Sequence, residues 1–291
     1  MTVLTRIIRL LYPELALTAS LFYVSGVLIS SLDSGVVLGL ETCGGVCVTG
    51  FVLFLLYIAG SIIDHIGDFP YDKEAHRDNI LLYIRKEVAI ILVGSLYLIS
   101  VLLAYLFSME IFFIAVITTI MYIGIAVLYS LGIRLSDRSI LGNISFVSFT
   151  YVIPYLLGVY MSVRMFSLSV ILIGVNLLLI SLSINVLRDL YDTNTAPRKN
   201  LVELLGSSRA VAGLSKILLI IAWALSLVTT LFLSRVNLLV LTLSLSLYIL
   251  FLLAFNISGS DEEILKRVKK HYKKIYLFHL LIPILYIVSM V

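Results

Sequence analysis

The sequence predicts an all-α integral membrane protein, a bundle of nine transmembrane helices with its N-terminus cytoplasmic and its C-terminus outside. Three observations predict it. Hydrophobic residues make up 61% of the 291-residue chain and charged residues 13%, with a mean hydropathy of +1.12, which is more apolar surface than one soluble core can hide. Apolar runs long enough to cross a hydrocarbon core of roughly 30 Å recur along the chain. Nineteen of the 21 Lys and Arg residues lie on one side, before span one and in or beside alternate connections, so that side of the bundle is basic and therefore cytoplasmic.

The spans follow in order. Span one, residues 14–32, stands behind Arg6 and Arg9; it is long, lacks a small-residue cleavage site and is followed by further spans, so it is not a signal peptide. Span two is 36–63. Its Cys43 and Cys47 lie one helical turn apart, a spacing that strains a disulfide and offers too few ligands for a metal, so both are read as small packing residues beside Gly44 and Gly45. Lys73, Arg77, Arg85 and Lys86 precede spans three and four, 87–107 and 109–130, which only a short connection divides. Arg134 and Arg138 lead into span five, 141–163, and span six is 166–187. Arg188, Arg198, Lys199, Arg209 and Lys216 surround the passage to span seven, 211–234; span eight is 236–255 and span nine 274–291. Arg164 and Arg235 are the two basic residues on the outer side. All of this forms a single domain, 1–291, with cytoplasmic loops at 64–86, 131–140, 188–210 and 258–273. Basic residues spread over alternate loops rather than gathered in one stripe argue against nucleic-acid binding.

Two acidic segments interrupt the pattern, because carboxylates at the ends of apolar spans need a reason. The first runs off span two: Asp64, His65, Asp68, Pro70, Asp72 and Arg77. Asp64 and Asp68 share a helix face; Pro70 is expected to end the helix and leave Asp72 in the loop. The second runs off span six, where Asn185, Arg188, Asp189 and Asp192 recur at i, i+3, i+4 and i+7 on one stripe, followed by Arg198 and Lys199. A single cluster of this kind reads as a solvated helix end. Two, on spans two and six, point to a shared cation, and Mg²⁺ suits oxygen ligands that are completed by water and a substrate's phosphates. Facing clusters with Arg and Lys nearby would cradle a Mg²⁺–diphosphate at the cytoplasmic end of the bundle.

The 258–274 segment reads as a short amphipathic helix, with Ser260 as N-cap, Asp261, Glu262 and Glu263 in the first turn, and Lys and Arg later. Ile264, Leu265, Val268 and Tyr272 are expected on the membrane, with the lysines toward anionic lipid.

These segments resemble the UbiA-type superfamily of intramembrane prenyltransferases, whose members have nine transmembrane helices, an NDxxDxxxD motif after helix two and a DxxxD motif with a preceding Asn after helix six. The stretch from Tyr129 and Ser130 through Arg134 and Arg138 to Leu141, Gly142 and Asn143 is similar to the family's YSxPPxRLKxxxxLGN. Arg198 to Gly206 resembles KRTLxxxLG, and Arg9 to Pro13 is a degenerate RLxRP. The first motif departs: with Asp68 and Asp72 aligned on its last two aspartates, His65 stands in place of the first Asp and Asp64 in place of Asn. The second departs too, with Asp192 one residue early, and Arg77-Asp78-Asn79 stands where an Arg-Pro usually follows motif one.

The resemblance implies Mg²⁺-dependent transfer of a polyprenyl group from a polyprenyl diphosphate to a lipophilic acceptor within the membrane, at a cytoplasm-facing site of a multi-pass cell-membrane protein surrounded by lipid. It implies Asp64, Asp68, Asp189 and Asp192 as metal ligands and catalytic residues, Asp72 and Asn185 as further metal support, and Arg77, Arg134, Arg198 and Lys199 as diphosphate partners. Tyr129 either faces the carbocation, which an aromatic ring stabilises, or belongs to the interfacial belt. His65 is read as a metal ligand, a base or, most simply, a hydrogen-bonded neighbour of the aspartates. Competing functions are a transporter or lipid-binding protein with an acidic site, and a diphosphate-processing enzyme of different outcome.

Overall fold

Lipid offers backbone groups no hydrogen bonds, so apolar runs of this length satisfy them internally as helices, and the computed structural model, which describes residues 3–74, 76–128, 139–164, 166–191, 201–232 and 259–290, is helices joined by short turns. Among these, six helices are long and apolar enough to cross a membrane. Span eight lies outside the described residues. The chain divides into two compact units, Met1–Leu21 with Leu38–Arg138, and Phe22–Val37 with Ser139–Val291.

The first unit begins with α1 (Val3–Leu10). A break at Tyr12, whose φ is 48°, and Pro13 at the first helical position then start α2 (Pro13–Ser34). Next comes α3 (Leu40–Glu74). At 35 residues it is about 52 Å long, so its last turns carry the first acidic segment beyond the apolar run. Contrary to expectation, Pro70 lies inside this helix, and Asp64, Asp68 and Asp72 share it. Proline removes one intrahelical donor, and tertiary ties hold the turn beyond it, as described below.

A 3₁₀ turn (Ile80–Leu82) leads to α4 (Lys86–Phe107) and α5 (Met109–Ala126). Ser108 divides them: its extended backbone ends α4 and its Oγ accepts the Ile111 N–H at 3.1 Å, an N-cap that starts α5. Tyr105 then meets Phe112 edge to face at 5.4 Å across the hairpin. Gly44 and Gly45 of α3 lie against Phe107 and Ile111, as expected of small packing residues, but Cys43 and Cys47 are exposed.

The second unit contains the end of α2, then α6 (Ser139–Val147), a π-helical turn (Ser148–Val152) and α7 (Ile153–Val163). Then follow α8 (Leu168–Tyr191), α9 (Leu201–Leu205), α10 (Ser208–Phe232) and α11 (Asp261–Met290). The last merges the expected loop helix and span nine into one rod. Helix α8 forms the unit's centre, with Ile173, Leu177, Ile180, Ile184 and Leu187 buried in its core. It joins α10 through a reciprocal serine pair: Ser183 Oγ donates to Ser215 O at 2.8 Å and Ser215 Oγ to Ser183 O at 3.0 Å, small hydroxyls that let helices approach closely in lipid.

Ile264 and Val268 of α11 are 2% and 7% exposed and sit in this same core, not on the membrane as expected, because α8 and α10 offer them a packed apolar surface. Ser260 caps α11 through a capping box: it receives the Glu263 N–H at 3.4 Å, and Glu263 receives the Ser260 N–H at 3.2 Å. Asp261 in turn accepts the Ser208 and Arg209 N–H groups at the start of α10, where the helix dipole favours a carboxylate.

On the same rod, partial desolvation and then Lys270 and Lys274 push His271 below its ordinary value of 6.5. A lowered histidine leaves the folded state resisting protonation, so its contribution is present above pH 6.5 and lost as pH falls through the lowered value. Melting curves in detergent should show His271→Gln losing less stability than the native protein between pH 7.5 and 5; an identical acid loss would refute the assignment.

Candidate metal and diphosphate site

In the first unit, Asp64, Asp68 and Asp72 occupy successive turns of α3, with Asp68 8% exposed. The segment after the helix folds back on them through Asn79. Its Nδ2 donates to Asp72 Oδ2 at 2.8 Å and to the His65 carbonyl at 3.0 Å, and its Oδ1 accepts the Leu81 N–H at 3.0 Å, capping the 3₁₀ turn. Arg77 adds a backbone bond to the Asp72 carbonyl at 2.7 Å and brings Nη1 to 4.0 Å from Asp72 Oδ1. These ties hold the turn that Pro70 weakens. The other guanidinium nitrogen, Arg77 Nη2, is buried with no hydrogen-bond partner among the described residues.

His65 turns elsewhere. Its Nε2 lies 2.7 Å from the Leu10 carbonyl, which can only accept, so Nε2 carries the proton. The ring stacks on Tyr12 at 5.5 Å and 10°, and Ser61 Oγ donates to Leu11 O at 3.1 Å. His65 therefore clamps the α1–α2 break onto α3 through a bond to the backbone. Restoring an acid there with His65→Asp would set a carboxylate against a carbonyl oxygen and remove the donor. A loss of about 1–3 kcal/mol is expected, read as a lower melting temperature in detergent; undiminished stability together with tighter Mg²⁺ binding would show the clamp to be wrong.

In the second unit the acidic segment forms the end of α8. Asp189 Oδ2 receives the Asn143 Nδ2 at 3.0 Å and the Leu201 N–H at 3.2 Å. Asn143 Oδ1 receives the Asn185 Nδ2. The Arg188 guanidinium lies 5.0 Å over the Phe146 ring, and Tyr191 stacks on Tyr272 of α11 at 5.0 Å. Tyr129, Arg134, Asp192, Arg198 and Lys199 lie outside the described residues.

The donor set fits a hard cation. Carboxylate and amide oxygens dominate both segments, which suits Mg²⁺ rather than a thiolate-seeking metal. No three His, Cys, Asp or Glu side chains group as a metal cage among the described residues; Mg²⁺ commonly takes one or two carboxylates and completes its shell with water and phosphate oxygens. Arg77 Nη2, without a partner among the described residues, suits an anion.

The profile of the UbiA prenyltransferase family matches residues 19–281, nearly the whole chain and both acidic segments. The protein belongs to the UbiA prenyltransferase family. It is thus a multi-pass helical membrane protein. Among solved structures, that of a digeranylgeranylglyceryl phosphate synthase is similar at 18% identity and a TM-score of 0.68, with 100% of this chain and 99% of that chain covered. A UbiA homologue from Archaeoglobus fulgidus bound to DMAPP and Mg²⁺ shares 15% identity at a TM-score of 0.66, covering 95% and 98%. An apo UbiA homologue from Aeropyrum pernix K1 shares 17% at 0.62, covering 92% and 94%. Curated proteins give no match.

Against the family pattern, Asn79 and Asn143 are the residues that the sequence reading passed over as functional. Asn143 carried a signal, as the end of the LGN match, and Asn79 carried one as the residue standing where the family's Arg-Pro is missing. Neither signal disclosed a hydrogen bond to a motif carboxylate.

Proposed function

We propose that this UbiA-family protein transfers a polyprenyl group from a polyprenyl diphosphate to a lipophilic acceptor within the membrane, with Mg²⁺. The observation that carries this reading is Arg77: a guanidinium with a buried nitrogen that has no hydrogen-bond partner among the described residues, beside a helix of three aspartates, is a charge arrangement that an anion bound with a cation completes.

In this reading Asp64, Asp68 and Asp72 of the first motif would serve as Mg²⁺ ligands, and so would Asn185, Asp189 and Asp192 of the second. Arg77, Arg134, Arg198 and Lys199 bind the diphosphate oxygens. Bound Mg²⁺ supplies neutralisation of the charge that builds on the diphosphate as it leaves. The chain's cations orient the leaving group, and its apolar helices shield the allylic cation from water until the acceptor attacks. Tyr129 stands as a candidate to face that cation. The reading places the site on the cytoplasmic side of a cell membrane, in one domain of nine spans with the C-terminus outside.

Its test is diphosphate release from prenyl diphosphates of several chain lengths by the purified protein, with and without Mg²⁺. Mg²⁺-dependent release supports the donor half of the reaction; neither binding nor release at any chain length overturns it.

A further inference from the structure

Asn143 is 6% exposed and Asn185 7%, and the two belong to different helices, α6 and α8, separated by 42 residues in sequence. Their polarity is not arbitrary. An ionised Asp189 carboxylate can only accept, so the Asn143 amide must turn its Nδ2 toward it, as it does at 3.0 Å. That choice leaves Asn143 Oδ1 facing Asn185, and an oxygen there obliges Asn185 to present Nδ2 in return. The Asn185 carbonyl oxygen is then the prong turned away from Asn143. The charge on Asp189 thus sets, through one intervening amide, which atom of Asn185 is offered outward.

The same Asp189 oxygen also receives the Leu201 N–H at 3.2 Å. Two donors on one oxygen fix the plane of the carboxylate. Packing holds α6 on α8 independently of these bonds, through Val147, Ile184 and Leu187 in one core and Arg188 over Phe146.

We infer that Asn143 is a positioning residue for the second motif: it orients the Asp189 carboxylate and turns Asn185 so that its oxygen, a hard ligand, is the atom available to the cation. This rests on the reading of Asp189 and Asn185 as Mg²⁺ ligands. Buried partners that orient ligands typically matter 10–100-fold for metal affinity.

The experiment measures binding of Mn²⁺, as a spectroscopic substitute for Mg²⁺, by electron paramagnetic resonance on the purified full chain with inorganic diphosphate present. The variants are Asn143→Leu, Asn143→Asp, Asn143→Gln and Asp189→Ala, and melting curves run in parallel. Asn143→Leu keeps the volume and removes the relay; Asn143→Asp keeps the acceptor and loses the donor. Both should weaken Mn²⁺ by about 10–100-fold and raise the Mg²⁺ concentration needed for half-maximal diphosphate release more than they lower kcat. Asn143→Gln should recover part of the affinity. Native Mn²⁺ affinity in Asn143→Leu, with Asp189→Ala weakened, overturns the positioning role and leaves the ligand assignment standing. Native affinity in Asp189→Ala overturns the ligand assignment and the inference with it. A lowered melting temperature that tracks the affinity loss across all three Asn143 variants also overturns it, in favour of a purely structural role.

Discussion

Alanine at Asp189 is expected to lower Mg²⁺-dependent diphosphate release by at least about 10²–10³-fold, the range measured when one preorganised electrostatic contact to a developing charge is removed. The expectation follows from the neighbourhood of this carboxylate. Asn143 and the Leu201 amide both bind its Oδ2, so it is held in one orientation before anything binds, and a fixed charge does not have to reorganise during the reaction. Asp189→Asn separates charge from shape: it keeps the volume, loses the charge and should fall nearly as far as alanine. The comparison is made on kcat/KM for diphosphate release at saturating and limiting Mg²⁺. A loss that saturating Mg²⁺ fully restores would mean that Asp189 contributes affinity alone, and a rate within tenfold of native in both variants would remove it from the machinery.

The largest stability effect should come from Gly158. A Cβ built there would lie 2.0 Å from the Tyr23 carbonyl oxygen and 2.9 Å from the Val27 nitrogen, and one on Gly26 would lie 2.1 Å from the Tyr155 carbonyl oxygen. The two glycines are reciprocal, each making room for the other helix's backbone where α2 crosses α7. Backbone cannot turn aside as a side chain can, so Gly158→Ala must push the helices apart and give up their dispersion contacts. Overpacking of this kind costs about 1–3 kcal/mol and occasionally more, and backbone contact on both sides places Gly158 at or above the top of that range. Gly213 of α10 has nothing within 4 Å of its Cβ position, so Gly213→Ala should leave the melting temperature unchanged or raise it slightly. Because Gly26 and Gly158 share one crossing, the double alanine variant should lose less than the sum of the two single losses. Equal melting temperatures for the Gly158 and Gly213 variants would show that the crossing is looser than described.

Much of the architecture is local and was therefore legible. The run at 14–32 became Pro13–Ser34, that at 87–107 became Lys86–Phe107, and that at 166–187 became Leu168–Tyr191, because transfer of apolar residues into lipid and internal backbone hydrogen bonding depend on nearby residues alone. The Ser260 cap was readable for the same reason, since a capping box spans four residues. Pro70 misled because the rule that proline ends helices is also local, whereas the ties that sustain α3 past it come from Arg77 and Asn79. The motif spacing marked Asp189 and Asn185 as a stripe, but it did not show what holds them.

By itself, then, the sequence determined that the chain is a helical membrane protein with two acidic segments at helix ends, together with the resemblance that the family match confirms. Tertiary structure decided what each polar side chain does there. His65, standing where the family has an aspartate, binds the Leu10 carbonyl 55 residues away, and Asn143 reaches Asp189 across 46 residues. The buried face of α11 meets its own core rather than lipid. Each depends on donors and acceptors, or on apolar surfaces, that become neighbours only when distant helices pack. Apolar periodicity records which segments leave water, whereas the partner of a buried polar atom is set by the register between helices.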